Sequence, residues 1–342
     1  MSVRPSRRLA AALAGVALLL AACSNAPADD VTPPTTASEA AFPVTITSSF
    51  GEAVIEEKPE RVVTLGWGAD DIAVSLGTIP VGVEADTWAG DEDGLRPWFR
   101  AAVEEAGGDL PQAIAMYPEL DVDAIVALEP DVVIAPQSAI DQAMFDQLTA
   151  FVPVVAAPGE PWQTSVEDQV RLAAQALGVP DRGEEILAER QAALDAVKAE
   201  HPELAEVTFA YVYLGGEAGT LSVYLPGDTR VALLTSFGLQ LDPAVADLEP
   251  DPGTFVASLG LENADVLDDV DVLFTWFNDE AEQAAVESQE LFARIPAFQS
   301  GAYVPMLDRA LGMAVSVATP LSIPWAIDEY LPVITEAVAK VS

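Results

Sequence analysis

Asp181-Arg-Gly-Glu-Glu-Ile-Leu-Ala-Glu-Arg-Gln-Ala-Ala-Leu-Asp-Ala-Val-Lys-Ala-Glu200 is the stretch that decides the fold. Ala, Glu, Leu, Gln and Arg are strong helix formers, and no breaker follows Gly183. Asp181 is the expected N-cap, and His201-Pro202 the expected stop. At 1.5 Å per residue such a helix is roughly 30 Å long. That length lets it leave one α/β body and enter a second.

On its N-terminal side, short apolar runs alternate with helical spacing. Arg61-Val62-Val63-Thr64-Leu65 reads as a strand that runs into the turn Gly66-Trp67-Gly68 and a helix from Ala69 to Leu76, closed by Gly77. Pro80 to Glu84, Asp131 to Ala135 and Val152 to Val155 read as further strands. Leu95 to Ala106, Val122 to Leu128 and Ala139 to Phe151 read as the helices between them, and Thr164-Ser-Val-Glu167 as a capping box opening the helix that ends at Gly178. On the C-terminal side, Thr208 to Leu214, Leu221 to Leu225 and Val270 to Trp276 are expected strands. A helix capped by Asp228 runs to Phe237, another spans Gln283 to Ala293, and a terminal helix starts at Ser322. Strands alternating with helices predict parallel sheets.

Asp123 to Ile134 and Glu262 to Phe274 share one plan: an acid near a helix start, an apolar helical stretch, a break, then Asp131 or Asp271 leading a hydrophobic strand. The expected fold is therefore α/β, with two lobes carrying central, mostly parallel sheets, joined by one long helix. The boundaries are an N-terminal lobe over 42–180, a linker helix over 181–200 and a C-terminal lobe over 201–342. Ligands of such sheets sit beyond the carboxyl ends of the strands, which places a cleft between the lobes.

Arg4, Arg7 and Arg8 precede the apolar run Leu9 to Leu20, too short for a stable membrane anchor, which leads into Leu20-Ala21-Ala22-Cys23. This reads as a lipoprotein signal peptide over 1–22, with cleavage expected before Cys23 and lipid on its thiol; ordinary secretion with a free cysteine is the alternative. Cys23 is the only cysteine, so the mature chain has no internal disulfide. Residues 23–41, rich in Ala, Pro and Thr, are expected to be a disordered tether. The protein is thus expected outside the cytoplasm, held to the cell membrane by lipid alone.

The chain carries 15 basic and 55 acidic side chains; without the three arginines of the signal segment the balance is 12 against 55, a formal charge of −43. The charge argues strongly against nucleic-acid binding, because phosphate contacts need Lys and Arg. With His201 the sole histidine, direct capture of zinc or manganese is disfavoured. No resident cofactor is expected.

Aromatics at strand ends are the candidates for a ligand wall. Trp67 sits between two glycines, where a core residue would be badly placed; Trp88 follows the second strand; Tyr213, Tyr224 and Trp276 flank strands of the second half. Such a wall suits flat or chelate-type guests. Arg309, and with it Arg230, is positioned to meet an anionic group. The overall poverty of Lys and Arg favours a neutral or cationic guest, such as a ferric hydroxamate.

Several segments together resemble the helix-linked (class III) periplasmic solute-binding proteins of ABC importers, which serve ferric siderophores, haem and cobalamin. They are Arg61 to Leu65, Leu76-Gly77 with Pro80-Val81-Gly82, Asp123 to Ile134, the linker helix, Leu233 to Gly238, Glu262 to Leu273 and Thr319 to Ile327. The resemblance covers nearly all of 42–342. The stretch Gly90 to Gly178, with Leu95-Arg96-Pro97-Trp98 and Trp162-Gln163, is most similar to the ferric-siderophore branch. It implies a monomeric binding protein, not an enzyme, that delivers a ferric siderophore to an ABC permease with its ATPase, iron entering only as part of the chelate. It also implies that one acid on each lobe docks on the permease. The matching positions are Asp123, where the family usually has Glu, and Glu262. Haem or cobalamin is the alternative guest. A surface hydrolase is the alternative class, but the chain has no Gly-x-Ser-x-Gly elbow.

Overall fold

Three apolar strands of the first half are short and buried along their whole length because helices cover both sheet faces. In the computed structural model, which describes residues 42–216 and 219–341, Val132–Ala135 is wholly buried. Val132 and Ile134 face one core, and Val133 and Ala135 face another. The chain order is β1 (Val44–Thr47), β2 (Glu52–Ile55), β3 (Val62–Thr64), α1 (Ala69–Ser75), β4 (Gly82–Glu84), α2 (Pro97–Glu105) and β5 (Gln112–Ile114). It continues α3 (Val122–Ala127), β6 (Val132–Ala135), α4 (Gln142–Leu148), β7 (Val154–Ala156) and α5 (Val166–Ala176). The sheet order is β5-β4-β3-β6-β7, all parallel. The β1–β2 antiparallel hairpin escaped the sequence reading, although its buried-exposed alternation is regular.

The long helix, α6, spans Pro180–Glu200. It starts one residue before the expected boundary: Pro180 occupies the first turn, where its missing N–H costs nothing, and Val179, not Asp181, is the cap residue. Its first half packs Ile186 and Leu187 into the core of the N-terminal sheet. Its second half packs Leu194 and Val197 with side chains of the C-terminal sheet.

The second half runs β8 (Thr208–Tyr213), β9 (Thr220–Tyr224), α7 (Thr229–Phe237), β10 (Gln240–Leu241), α8 (Pro243–Ala246) and β11 (Val256–Gly260). A 3₁₀ segment, Leu261–Leu267, leads to β12 (Val272–Trp276). Then come α9 (Glu280–Glu287), α10 (Pro296–Ser300), β13 (Tyr303–Met306), α11 (Arg309–Val317) and α12 (Ser322–Val338). β9 is antiparallel to both β8 and β11, so it alone runs against the direction shared by the other strands of this sheet.

The internal repeat has a physical meaning. Asp131 Oδ2 accepts hydrogen bonds from the backbone N–H groups of Glu60 (2.7 Å) and Arg61 (2.8 Å), at the start of β3. Asp271 Oδ2 accepts from Thr208 N at 2.8 Å, at the start of β8. Each aspartate pins the strand beside its own.

Three sequence expectations shift. The helix α5 is capped by Ser165, whose Oγ accepts from Asp168 N at 3.1 Å, so the box begins one residue later than read; Thr164 instead donates to Pro136 O at 2.5 Å. The predicted helix Gln283–Ala293 ends at Glu287, because Phe292 and Ile295 must turn into the core. The halves are also less separate than two bodies face to face: Leu95, Trp98, Phe99 and Val103 around α2 share one apolar cluster with Leu311, Val315, Ile323 and Tyr330 of α11 and α12. A small part of the acidic content is structural: among the described residues six helices carry an aspartate cap (Asp121, Asp141, Asp228, Asp242, Asp279 and Asp308). No helix among the described residues is long and apolar enough to cross a membrane. The signal segment, Cys23 and the tether lie outside the described residues.

Candidate functional site

The loops that leave the carboxyl ends of the N-terminal strands form one wall of a cleft. After β3, Gly66 has φ +85°, and a Cβ there would lie 2.2 Å from the Gln137 carbonyl oxygen. Gly68 has φ +86°, and its Cβ would meet Thr319 Cγ2 at 2.7 Å. Only glycine fits either place. Trp67 between them is thrust outward and remains 40% exposed. Its ring meets Trp162 edge to face, centroids 5.4 Å apart. Trp162 is itself held in the left-handed region, φ +65°. Gln137 clamps that loop: its Nε2 donates to Trp162 O at 2.9 Å, and its Oε1 accepts from Thr164 N at 2.9 Å. Tyr117, beyond β5, stands 65% exposed on the same wall.

The facing wall belongs to the C-terminal lobe and includes Asp228, Thr229, Arg230, Phe255 and Met313. Between the walls lies a cleft of about 430 Å³. A second chamber of about 530 Å³ adjoins it and shares Gln137, Trp162, Thr229 and Phe255. Sizes of this order suit a small-molecule guest.

Both guanidiniums of the cleft are already neutralised. Arg230 is gripped by Asp228 through Nε–Oδ1 (2.9 Å) and Nη2–Oδ2 (2.7 Å), and lies 4.0 Å over the Tyr224 ring. Arg96, buried, pairs with both oxygens of Asp70, and Asp71 Oδ1 is 3.8 Å away. The attraction of these carboxylates holds both arginines firmly protonated despite burial. Asp71 is enclosed: its Oδ2 accepts from Trp98 Nε1 and from the Thr319 hydroxyl, each at 2.9 Å, and burial pushes its carboxyl up to about 6. Burial also raises Glu84, whose Oε2 accepts from Gly66 N at 2.7 Å.

Of the six side chains read as ligand contacts, Trp67 and Trp88 line the cleft. Tyr224 lies beneath Arg230. Tyr213 and Trp276 stack on each other, centroids 4.1 Å apart and planes within 2°. Trp276 meets Trp88 edge to face at 5.8 Å. Arg309 donates to the Asn278 carbonyl at 3.0 Å and lies 5.9 Å from the Trp88 ring centre. These four form a layer behind Trp88 and Arg230. The sequence reading missed Tyr117, Glu84, Asp86 and Phe255 and did not single out Trp162 as a contact. The rule that picked Trp67, that guests meet the residues just after strand ends, applies equally to Tyr117, but the strand β5 before it was not recognised.

Asp123 and Glu262 are both exposed, in the first turn of α3 and of the 3₁₀ segment after β11. Asp123 follows the carboxyl end of β5, and Glu262 the carboxyl end of β11. Among the described residues no group of three His, Cys, Asp or Glu is placed to hold a metal ion.

Residues 62–306 match the sequence profile of a family described as periplasmic binding protein. The fold is similar to that of Streptococcus pneumoniae TIGR4 PiaA in complex with ferrichrome, at 28% identity and TM-score 0.78, covering 87% of this chain and 100% of that one. A periplasmic solute-binding protein from Mycobacterium smegmatis aligns at 24% identity and TM-score 0.73, covering 86% and 98%. Staphylococcus aureus SirA complexed with staphyloferrin B aligns at 20% identity and TM-score 0.68, covering 85% and 98%. No curated protein matches the sequence significantly.

Proposed function

This chain belongs to the periplasmic binding protein family, and we propose that it is an extracytoplasmic lipoprotein that holds a ferric siderophore in its interlobe cleft and delivers it to an ABC permease with its ATPase. The observation that carries this reading is the cleft itself. Trp67, Trp88, Trp162 and Tyr117 supply flat apolar faces, and no guanidinium among the lining residues lacks a carboxylate. Likeness to a ferrichrome-bound protein supports the class of guest.

In this account the iron arrives chelated, and the protein supplies no metal ligand. The guest is a neutral or cationic complex of the hydroxamate class, since an anionic one would find each arginine occupied and extra carboxylates beside it. Trp67, Trp88, Trp162 and Tyr117 pack against the guest, and Arg230 donates to its carbonyl oxygens from the Asp228 clamp. Tyr213, Tyr224, Trp276 and Arg309, the other members of the contact set, set the position of Trp88 and Arg230 from behind. The protein works as a monomer, tethered through lipid on Cys23. Asp123 and Glu262 present one fixed carboxylate per lobe to a basic surface on the permease.

The test is iron uptake from a labelled ferric trihydroxamate in cells lacking the gene and in cells complemented with it. The reading expects uptake to fall in the deletion strain and return with the wild-type chain. It also expects Cys23→Ala to release the protein from the membrane. Unchanged uptake in the deletion strain would contradict it.

A further inference from the structure

Glu84 ends β4 and opens onto the cleft. Its Oε2 is held by Gly66 N at 2.7 Å. Unlike Asp228 and Asp70, it forms no ion pair with a cationic side chain among the described residues; Arg96, committed to Asp70, offsets the cost of its burial only from a distance. Its charge nevertheless reaches the wall, since Tyr117 is pushed up by burial and by Glu84. Asp86, two residues on, compounds the imbalance. Its Oδ1 accepts from the backbone N–H groups of Trp88 (3.0 Å) and Ala89 (2.8 Å), while its Oδ2 is enclosed with no partner.

A carboxylate taken out of water without a countercharge is costly. The cost falls when a guest brings positive charge or an N–H donor to it, and rises when the guest is anionic. A side chain so placed discriminates between guests in both directions.

We propose that Glu84 is the charge filter of the cleft: it favours chelates that carry an ammonium group and rejects anionic ones of the same shape. This rests on the cleft being the ferric-siderophore site. Asp86 acts with it, at one remove, because one of its oxygens is committed to the turn that carries Trp88.

The test uses three complexes of one shape. Ferrioxamine B carries one positive charge on a pendant ammonium, its N-acetyl form none, and its N-succinyl form one negative charge. Affinities are measured at pH 8 and low salt by tryptophan quenching. In the wild type each step towards negative charge is expected to weaken binding about tenfold, the size of a single screened charge interaction at short range. Glu84→Gln keeps an acceptor for Gly66 N and should compress each step to about threefold or less. Glu56→Gln, at an exposed position outside the cleft, should leave the steps unchanged. Equal affinities for the three complexes, or steps untouched by Glu84→Gln, overturn the filter and leave the site assignment standing. Binding of none of the three overturns the hydroxamate reading of the cleft, and the filter with it.

Discussion

Trp88 Nε1 donates a 2.9 Å hydrogen bond to Asn278 Oδ1, tying side chains 190 positions apart across the cleft. Gln163 Nε2 makes a second crossing to Gly253 O, also at 2.9 Å. Behind the cleft, Asp71 accepts from Thr319, and Arg190 Nε donates to Ala318 O at 2.8 Å. The halves are thus tied on both sides of the space that would hold a guest. A single stiff helix joins them, so closure is expected to be a small adjustment.

Trp88→Phe keeps an aromatic face but removes the donor to Asn278. It is expected to cost about 1 kcal/mol of stability, the usual worth of one such bond, and to weaken ligand binding several-fold. Hydrogen exchange in the loop after β12 should rise with it. Unchanged exchange there would show that the bond does not hold the lobes.

Trp67→Ala and Trp162→Ala address the wall directly. Trp67 is 40% exposed, so its truncation should cost less than about 1 kcal/mol in folding. Loss of an aromatic anchor should weaken guest affinity by about 2 kcal/mol, roughly thirtyfold. Urea unfolding and ligand titration on the same preparation separate the two effects.

Asp71 predicts a pH dependence. Its carboxyl rises to about 6 because burial outweighs the attraction of Arg96. The folded state therefore binds the proton more tightly than the unfolded chain, whose carboxyl titrates near the ordinary 3.8. The contribution of Asp71 to stability is fully present below that ordinary value and is lost as pH rises to about 6. Asp71→Asn retains an acceptor for Trp98 and Thr319 and removes the titration. Relative to wild type, its stability should climb by about 2 kcal/mol between pH 4 and pH 7, read by urea unfolding at each pH. Parallel curves would contradict the assignment.

Asp123→Ala with Glu262→Ala tests docking. Both side chains are exposed, so folding and ligand affinity should hold within about twofold, while uptake falls at least about tenfold. Lost affinity would place these residues in the binding site.

The parts of this molecule that a sequence reveals are those set by local rules. The uninterrupted Asp181–Glu200 segment, the Gly-Trp-Gly turn and the leading Asp131 and Asp271 are each legible because a few neighbouring residues fix their geometry. Partnerships across strands are not local. Tyr213 and Trp276 read as two separate wall residues, yet β8 and β12 are adjacent strands and the rings stack. The apolar seam that fuses α2 to α12 joins helices more than 200 residues apart in the chain. The absence of an ion pair at Glu84 appears only when Arg96 and Arg230 are seen to be committed to Asp70 and Asp228.

The most direct test is titration of the purified protein with a ferric trihydroxamate, following the emission of its six tryptophans. The account predicts saturable quenching at one equivalent, greatly weakened when Trp67 and Trp162 are both replaced by Ala, and none with ferric ion supplied without a siderophore. Emission unchanged by ferric hydroxamates, ferric catecholates, haem and cobalamin alike would contradict it.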